Sequence, residues 1–594
     1  MTVYKAPLRE YRFVLNELFD VGELAKLPGY AEATPDVFEA VLEEGAKLAE
    51  EVLFPLNRGG DEEGCTFENG VVRTPKGFKE AYDLFREGGW TALAADPDYG
   101  GQGLPHTLNF FVEEMVSSAN MSFGMYPGLS AGAYSAIRRH ASEAQKRKFL
   151  PHMVDGSWSG TMCLTEPQCG TDLGQIRTKA EPSGNGAFKI TGTKIFISAG
   201  EHDLTDNIIH LVLARITGGP AGIQGISLFI VPKFLVKDDG TLGPRNGVRC
   251  GSIEHKMGIK GSATAVLNFE DAEGYLVGAE HKGMRAMFTM MNAARLGVGL
   301  QGLALGETAY QTARQYALDR LQGRSLKGEK FPDKPADPII VHPDVRRMLL
   351  TMRAYTEGAR ALAAWVSLAL DRAERHPDPA MREEAEDFVS LMTPIIKATL
   401  TDNAFAATNL GVQIFGGHGY IREWGMEQLV RDCRITMLYE GANGIQALDL
   451  VGRKMPQHNG RLLRRFFHPV DGYLRERMEK PELQEFVLPV MKAFGRLQQV
   501  TALVAQKGMA DPDEAGAAAS EYLRAFGLVA MGYLWARIAE ASLPKLTGDE
   551  ALFYQGKVAT ARFYMARVLP ETNALFANIA AGARPLMELA AEAF

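Results

Sequence analysis

Phe188-Lys-Ile-Thr-Gly-Thr-Lys-Ile-Phe-Ile197 is the stretch whose reading organises the whole chain. Its β-branched and aromatic residues nearly alternate with polar ones, the period of a strand with one buried face. Residues 208–216 and 226–236 repeat the pattern between clusters of Gly, Pro and Asp, and 266–269 and 275–277 continue it. The spacing predicts a β domain in mid-chain, starting after Trp158. On both sides the apolar period changes to three and four, that of an amphipathic helix.

Upstream, Pro35-Asp36 opens a helical run (VFEAVLEEGAKLAEEVLFPLN) that is expected to end at Pro55, and 77–89 and 108–118 share its period. Downstream, 284–320, 343–375 and 381–409 read as helices, followed by a Gly-rich break (FGGHGY) and shorter helical pieces at 427–432 and 443–451. Three more helical stretches, 482–506, 514–541 and 550–581, form an appended bundle. The expected fold class is α+β multidomain. An N-terminal extension (1–35) and an N-terminal helical domain (36–158) precede a middle β-barrel-like domain (159–280). A C-terminal helical bundle (281–455) and an additional helical domain (470–594) complete the chain.

With 594 residues the chain exceeds one domain, and a net charge of −8 without a Lys/Arg run argues against nucleic acid as a main partner. The start, MTVYKAPLREYRFVLNELFD, is charged throughout, unlike a secretory signal, and no stretch has the roughly 18 apolar residues of a membrane span. The cysteines Cys65, Cys163, Cys169, Cys250 and Cys433 form no CxxC pair, and the histidines form no HExxH cluster. Neither a disulfide framework nor a metal site is expected, and a cytoplasmic location fits. Two motifs are decoys. Gly297-Val-Gly-Leu-Gln-Gly302 matches a dinucleotide loop, and Gly128-Leu-Ser-Ala-Gly132 a nucleophile elbow. Both need a preceding strand, and both follow helical sequence.

Other pieces form an ordered set: Tyr99-Gly-Gly-Gln-Gly-Leu104, Leu164-Thr-Glu-Pro-Gln-Cys-Gly-Thr-Asp172, Lys194-Ile-Phe-Ile-Ser198, Lys256-Met-Gly258, Tyr316-Ala-Leu-Asp-Arg320, Gln413-Ile-Phe-Gly-Gly417, Arg431-Asp432 and Leu438-Tyr-Glu-Gly441. In this order they resemble the acyl-CoA dehydrogenase family, over residues 40–455. The remaining length is similar to a longer subgroup, some of whose members oxidise 3-(methylthio)propanoyl-CoA and others fatty acyl-CoAs. The resemblance implies FAD as cofactor, with the segment carrying Met162, Leu164, Thr165, Gly170 and Thr171 along the flavin ring and Phe196 and Ser198 over its other side. It places Arg320 on the FAD diphosphate of a neighbouring subunit in a homodimer, and Gln413, Gly416 and Gly417 on the adenosine part. Thr171, Asn292, Arg295, Tyr439 and Gly441 would contact the acyl-CoA substrate, and electron-transfer flavoprotein would be the electron acceptor. Three positions depart from the family pattern: Phe196 stands where Trp is usual, Leu321-Gln-Gly-Arg324 lacks a Phe, and Ala442-Asn443-Gly444 replaces Thr-Ser-Gln.

The same resemblance makes Glu440 the catalytic base. Forming an α,β-double bond in a thioester needs loss of a barely acidic α-proton and of a β-hydride, and a carboxylate in an apolar cleft suits the first task. A minority of the family carries the base just before the arginine matching Arg295, but here Ala293 and Ala294 stand there. An acyl-CoA oxidase would share this half-reaction with oxygen as acceptor. A catalytically retired flavoprotein is opposed by Glu440 and by the acidic balance.

Overall fold

A computed structural model of the chain describes residues 2–184 and 186–594. Helices α1 (Leu8–Arg12), α2 (Pro35–Lys47) and α3 (Phe54–Glu63), strands β1 (Thr66–Glu68) and β2 (Val71–Arg73), and helices α4 (Phe78–Glu87), α5 (His106–His140) and α6 (Glu143–Val154) come first. Nine strands follow: β3 (Trp158–Cys163), β4 (Lys179–Gly184), β5 (Ala187–Ser198), β6 (Asn207–Ile216), β7 (Ile226–Pro232), β8 (Phe234–Val236), β9 (Leu242–Arg245), β10 (Val248–Ile253) and β11 (Thr264–Leu276). Then come α7 (Gly283–Asp319), α8 (Pro343–Arg375), α9 (Pro379–Phe415), α10 (Met426–Arg434), α11 (Asn443–Asp449), α12 (Arg461–Arg477), α13 (Gln484–Ala510), α14 (Pro512–Ser542), α15 (Ala551–Phe563) and α16 (Thr572–Ala581). The expected order of helical, β and helical parts is present. Among the described residues no helix is long and apolar enough to cross a membrane.

The chain folds into two compact units, one of 44–105 and 115–297, the other of 1–43, 106–114 and 298–594. In the first, β11, β5, β4, β6 and β7 close on themselves, because β7 pairs with both β6 and β11. Strand β6 shows why its sequence reads as a continuous apolar run. Ile209, Leu211 and Leu213 pack with Ile137, Phe149 and Leu150 of the helices, while Val212, Ala214 and Ile216 pack with Ile190, Phe229 and Leu267 inside the ring. Successive side chains point to opposite faces, and here both faces are buried. His210 lies inside; burial, then nearby Lys233, depress its imidazole to about 3, and it stays neutral beside Thr161 at 2.7 Å.

In the second unit α8 packs along α9, and α14 packs against α8, α9, α13 and α16. Helix α14 is apolar on nearly all sides and is the centre of this unit; Gly527 lets it approach α9, since a Cβ there would stand 2.0 Å from Thr399 Oγ1. Trp535 donates its indole N–H to Ala354 O of α8 (3.1 Å). The appended helices also hold the N-terminal residues. Arg9 forms a bidentate pair with Glu550 (2.6 and 2.9 Å), and fully buried Lys557 bridges Glu10 and Glu357.

Three local expectations change. Pro55 does not end the first long helix: a π-turn, Leu48–Leu53, precedes it, and Pro55 falls in the first turn of α3, where no N–H is needed. Asn69-Gly70, at φ +51 and +79, turns a two-residue hairpin between β1 and β2 inside a region read as helical. Helix α12 is hidden in the sequence by Pro469 and Gly472.

Replacing Lys557 with Met leaves Glu10 buried without its cation. The expected loss is about 3–5 kcal/mol, as for other half-deleted buried pairs. It is read as a lower urea midpoint, and an unchanged midpoint would contradict the assignment.

Candidate active site

In the unit built on the β ring, the end of β3 runs into the segment 164–178. Glu166 and Cys169 exchange backbone bonds (2.9 and 3.0 Å), closing a tight turn over Pro167-Gln168. The buried Glu166 carboxylate then accepts from Lys194 Nζ (2.8 Å), Thr178 N (3.0 Å), Arg177 N (2.6 Å) and Gln168 Nε2 (2.7 Å). Lys194, fully buried on β5, also donates to Leu164 O (3.0 Å), and Ile195 N donates to Thr165 O (2.9 Å). Burial pushes the Glu166 carboxyl up, but Lys194 and the other donors outweigh it and hold the group at about 2.

One residue beyond, β5 carries a bulge. Ala265 pairs with Ile197 and Leu267 with Lys194, so Ile195 and Phe196 together face Val266. Phe196 takes φ +59 and is 60% exposed, although its strand neighbours Lys194 and Ile197 are buried. Met162, Thr165 and Ser198 are half-buried, and Gly170 and Thr171 are exposed. The pair and the bulge thus bring together the sequence-predicted residues from Met162 to Ser198. Asn292 and Arg295 share a turn of α7 in the same unit, with Arg295 Nη1 donating to Asn292 Oδ1 (3.3 Å).

In the helical unit Tyr439, Glu440 and Gly441 form one turn after α10. Glu440 has φ +57 and Gly441 φ +88, two successive left-handed residues, the first with a side chain. The turn is held from behind. Lys397 Nζ of α9, fully buried, donates to Gly441 O (2.9 Å) and Asn443 Oδ1 (2.8 Å). Buried Gln446 donates to Glu440 O and Gly441 O, both at 3.2 Å. Asn443, one of the departures from the family pattern, points its amide nitrogen at Asp402 Oδ1 (2.7 Å) and Thr401 Oγ1 (3.0 Å). Tyr439 donates to Gln301 Oε1, so one residue of the dinucleotide decoy lies inside a helix beside this turn. The other decoy lies within α5, where Ser130 Oγ donates to Tyr126 O and accepts from Gly160 N (3.0 Å), a structural hydroxyl.

Arg320 is exposed just after α7, and Gln413, Gly416 and Gly417 are exposed at the end of α9. Tyr316 joins the two ends: it stacks on Phe415 at 3.9 Å and its hydroxyl meets His418 Nδ1 at 3.0 Å. Gly416 has φ +60, and an added Cβ at Gly416 or Gly417 would meet no atom within 4 Å. The loop lacking the family Phe is organised instead by buried Asp337, which accepts from Ser325 N, Lys330 N and Phe331 N.

Models of the acyl-CoA dehydrogenase N-terminal, middle and C-terminal domains match residues 38–157, 161–272 and 281–455, and a model described as acetyl-CoA dehydrogenase C-terminal like matches 466–590. A 3-methylmercaptopropionyl-CoA dehydrogenase of Ruegeria pomeroyi is 43% identical, over 97% of this chain and 98% of its own length. The chain belongs to the acyl-CoA dehydrogenase family. The broad-specificity linear acyl-CoA dehydrogenase FadE5 of Mycobacterium tuberculosis is 33% identical over the full length of both chains. A crystal structure of an acyl-CoA dehydrogenase of Bacillus anthracis complexed with FAD has the same fold, with a TM-score of 0.76 over 97% of this chain and 92% of that one at 22% identity.

The family is FAD-dependent. The residues present fit such a group: an aromatic ring turned outward by a bulge next to a half-exposed hydroxyl, and an open glycine pair with unobstructed backbone. Sequence reading missed the residues that hold the 164–178 segment and the Glu440 turn, namely Glu166, Lys194, Lys397 and Gln446. The available signal was a lysine in each of two apolar stretches, Lys194 at a core-facing strand position and Lys397 within Ile395-Ile-Lys-Ala398.

Lys194→Met should strip the 164–178 segment of its anchor, at a cost of about 3–5 kcal/mol, with lower FAD retention through gel filtration. Because Glu166 is depressed from its ordinary 4.5 to about 2, its contribution is complete above pH 4.5 and is lost as pH falls through about 2. The variant should lack this acid-dependent component of stability; retaining it would contradict the anchor.

Proposed function

We propose that the chain is an FAD-dependent dehydrogenase that converts an acyl-CoA thioester to the trans-2-enoyl-CoA, with Glu440 as the base that removes the α-proton. The observation that carries this reading is the left-handed Glu440–Gly441 turn, fixed by three hydrogen bonds from Lys397 and Gln446. A side chain at positive φ is strained by about 1–3 kcal/mol and persists where its surroundings over-determine it, most often at working sites. Bound FAD supplies the acceptor for the β-hydride.

The protein's part is placement. Glu440 takes the proton, and its own backbone N–H is offered to the thioester oxygen, where negative charge develops. Burial, then the charge of Glu440, push the Tyr439 phenol well above its ordinary value, so it stays neutral and does not act as a second base. In this reading Met162, Leu164, Thr165, Gly170 and Thr171 line the flavin ring, and Phe196 and Ser198 cover it. Arg320, Gln413, Gly416 and Gly417 hold the adenosine-diphosphate half, and Thr171, Asn292, Arg295, Tyr439 and Gly441 contact the acyl-CoA.

The named relatives support 3-(methylthio)propanoyl-CoA as the first substrate class to examine and linear fatty acyl-CoAs as the second. We read the enzyme as cytoplasmic, passing electrons to electron-transfer flavoprotein, and as a homodimer. Exposed Arg320 and Gln413, with Tyr420 at 84% exposure beside them, suit a face covered by a second subunit. Residues 36–158, 159–280, 281–455 and 470–594 stand as our division into domains.

Glu440→Gln keeps volume and hydrogen-bonding capacity but cannot take a proton. The variant should bind FAD and acyl-CoA and keep its oxidised spectrum on anaerobic mixing, with reduction slowed by at least about 10²- to 10⁴-fold. Glu482→Gln, on the exposed surface, is the control. Bleaching of E440Q at near the native rate would remove the base from this account.

A further inference from the structure

We infer that Lys397 is a positioning residue for Glu440: from α9 it holds the turn that carries the carboxylate, and so sets the rate of proton removal without contributing to acyl-CoA affinity. The inference rests on Glu440 being the base.

A lysine with no exposed surface gives up its hydration, and its three N–H donors must be satisfied inside the protein. Lys397 gives one to Gly441 O and one to Asn443 Oδ1, at 2.9 and 2.8 Å. Both acceptors are neutral, and both belong to the segment that starts at the base. Charge-assisted bonds of this kind are roughly twice as strong as neutral ones. The Asn443 amide is itself oriented, because its nitrogen donates to Asp402 and Thr401, leaving its oxygen for the ammonium. Thr401 Oγ1 in turn donates to Lys397 O (2.7 Å), closing the set on α9.

The turn needs this support because of its conformation. Successive residues at φ +57 and +88 direct the Glu440 and Gly441 carbonyls to the same side, where Gln446 reaches both and Lys397 reaches the second. Rotation about the Glu440 N–Cα bond back to negative φ would relieve the strain at Glu440. It would also swing the Glu440 carboxylate and reorient the neighbouring backbone. With Lys397 in place, that rotation breaks a charge-assisted bond to a cation that has no water to turn to. The ammonium is therefore a lock on the direction of the carboxylate.

The test uses FAD-loaded K397M and Q446M proteins beside the native enzyme and E440Q. Anaerobic stopped-flow mixing with an acyl-CoA gives the rate of flavin bleaching at saturation. Spectral titration with the matching 2-enoyl-CoA, which cannot reduce the flavin, gives affinity. A displacement near 1 Å at a reacting group costs about 10²-fold, so K397M should bleach about 10- to 100-fold more slowly. Its affinity for the enoyl-CoA and its FAD content should be unchanged, and a substrate deuterated at C2 should slow it by a larger factor than it slows the native enzyme. Should K397M fail to fold, Q446M decides by the same rate, since it removes the second support without leaving a buried charge unpaired. A merely structural lysine would instead lower FAD content and affinity together. A native bleaching rate in either folded variant, or a loss confined to affinity, overturns the inference while E440Q stays inactive. Bleaching by E440Q overturns the base assignment itself.

Discussion

A cation without access to water must find its acceptors inside the protein, and Lys194, Lys397, Lys557 and Arg360 all meet this constraint here. Taking such a group out of water costs several kcal/mol, and only a specific set of oxygens repays it. Each of these side chains consequently fixes the local backbone around it. Lys194 fastens the segment after β3 through Glu166 and Leu164 O. Lys397 fastens the turn at Glu440. Lys557 fastens the N-terminal residues through Glu10, and Arg360 joins Glu114 to Glu307, each at 2.7 Å.

The consequence for chemistry is that two of the candidate site residues sit on backbone that is held from the interior. Phe196 and Glu440 both sit at positive φ, the first on a bulge and the second in a turn, and each lies close in sequence to a backbone carbonyl or strand residue anchored by a buried lysine. Preorganisation of this kind sets the geometry around each of these residues from the interior. It also explains the departure at Asn443. The side chain of this residue accepts from Lys397 and donates to Asp402, so it takes part in holding the turn.

Much of this was legible in the sequence, and the boundary between the legible and the hidden is physical. The strands of the ring and the long helices show their periods plainly, because burial of one or both faces imposes them. The family motifs led to Glu440, Phe196 and Arg320, since each lies in a short, ordered segment. Hidden were features whose cause lies at long sequence separation. The role of Lys397 depends on residues 44 and 46 positions away, and Lys194 meets a glutamate 28 positions earlier. Helix α12 was concealed by Pro469, and the π-turn that carries the chain through Pro55 has no local signature. The Asn69-Gly70 hairpin, by contrast, was visible as a turn dipeptide and was masked only by the helical period around it.

The most direct measurement is anaerobic addition of 3-(methylthio)propanoyl-CoA, and then of linear acyl-CoAs, to the native FAD-loaded enzyme. Flavin absorbance and the mass of the thioester are followed together. The account predicts bleaching that is stoichiometric with a thioester lighter by two hydrogens, one from C2 and one from C3. An oxidised spectrum and an unchanged thioester across the whole series would contradict it.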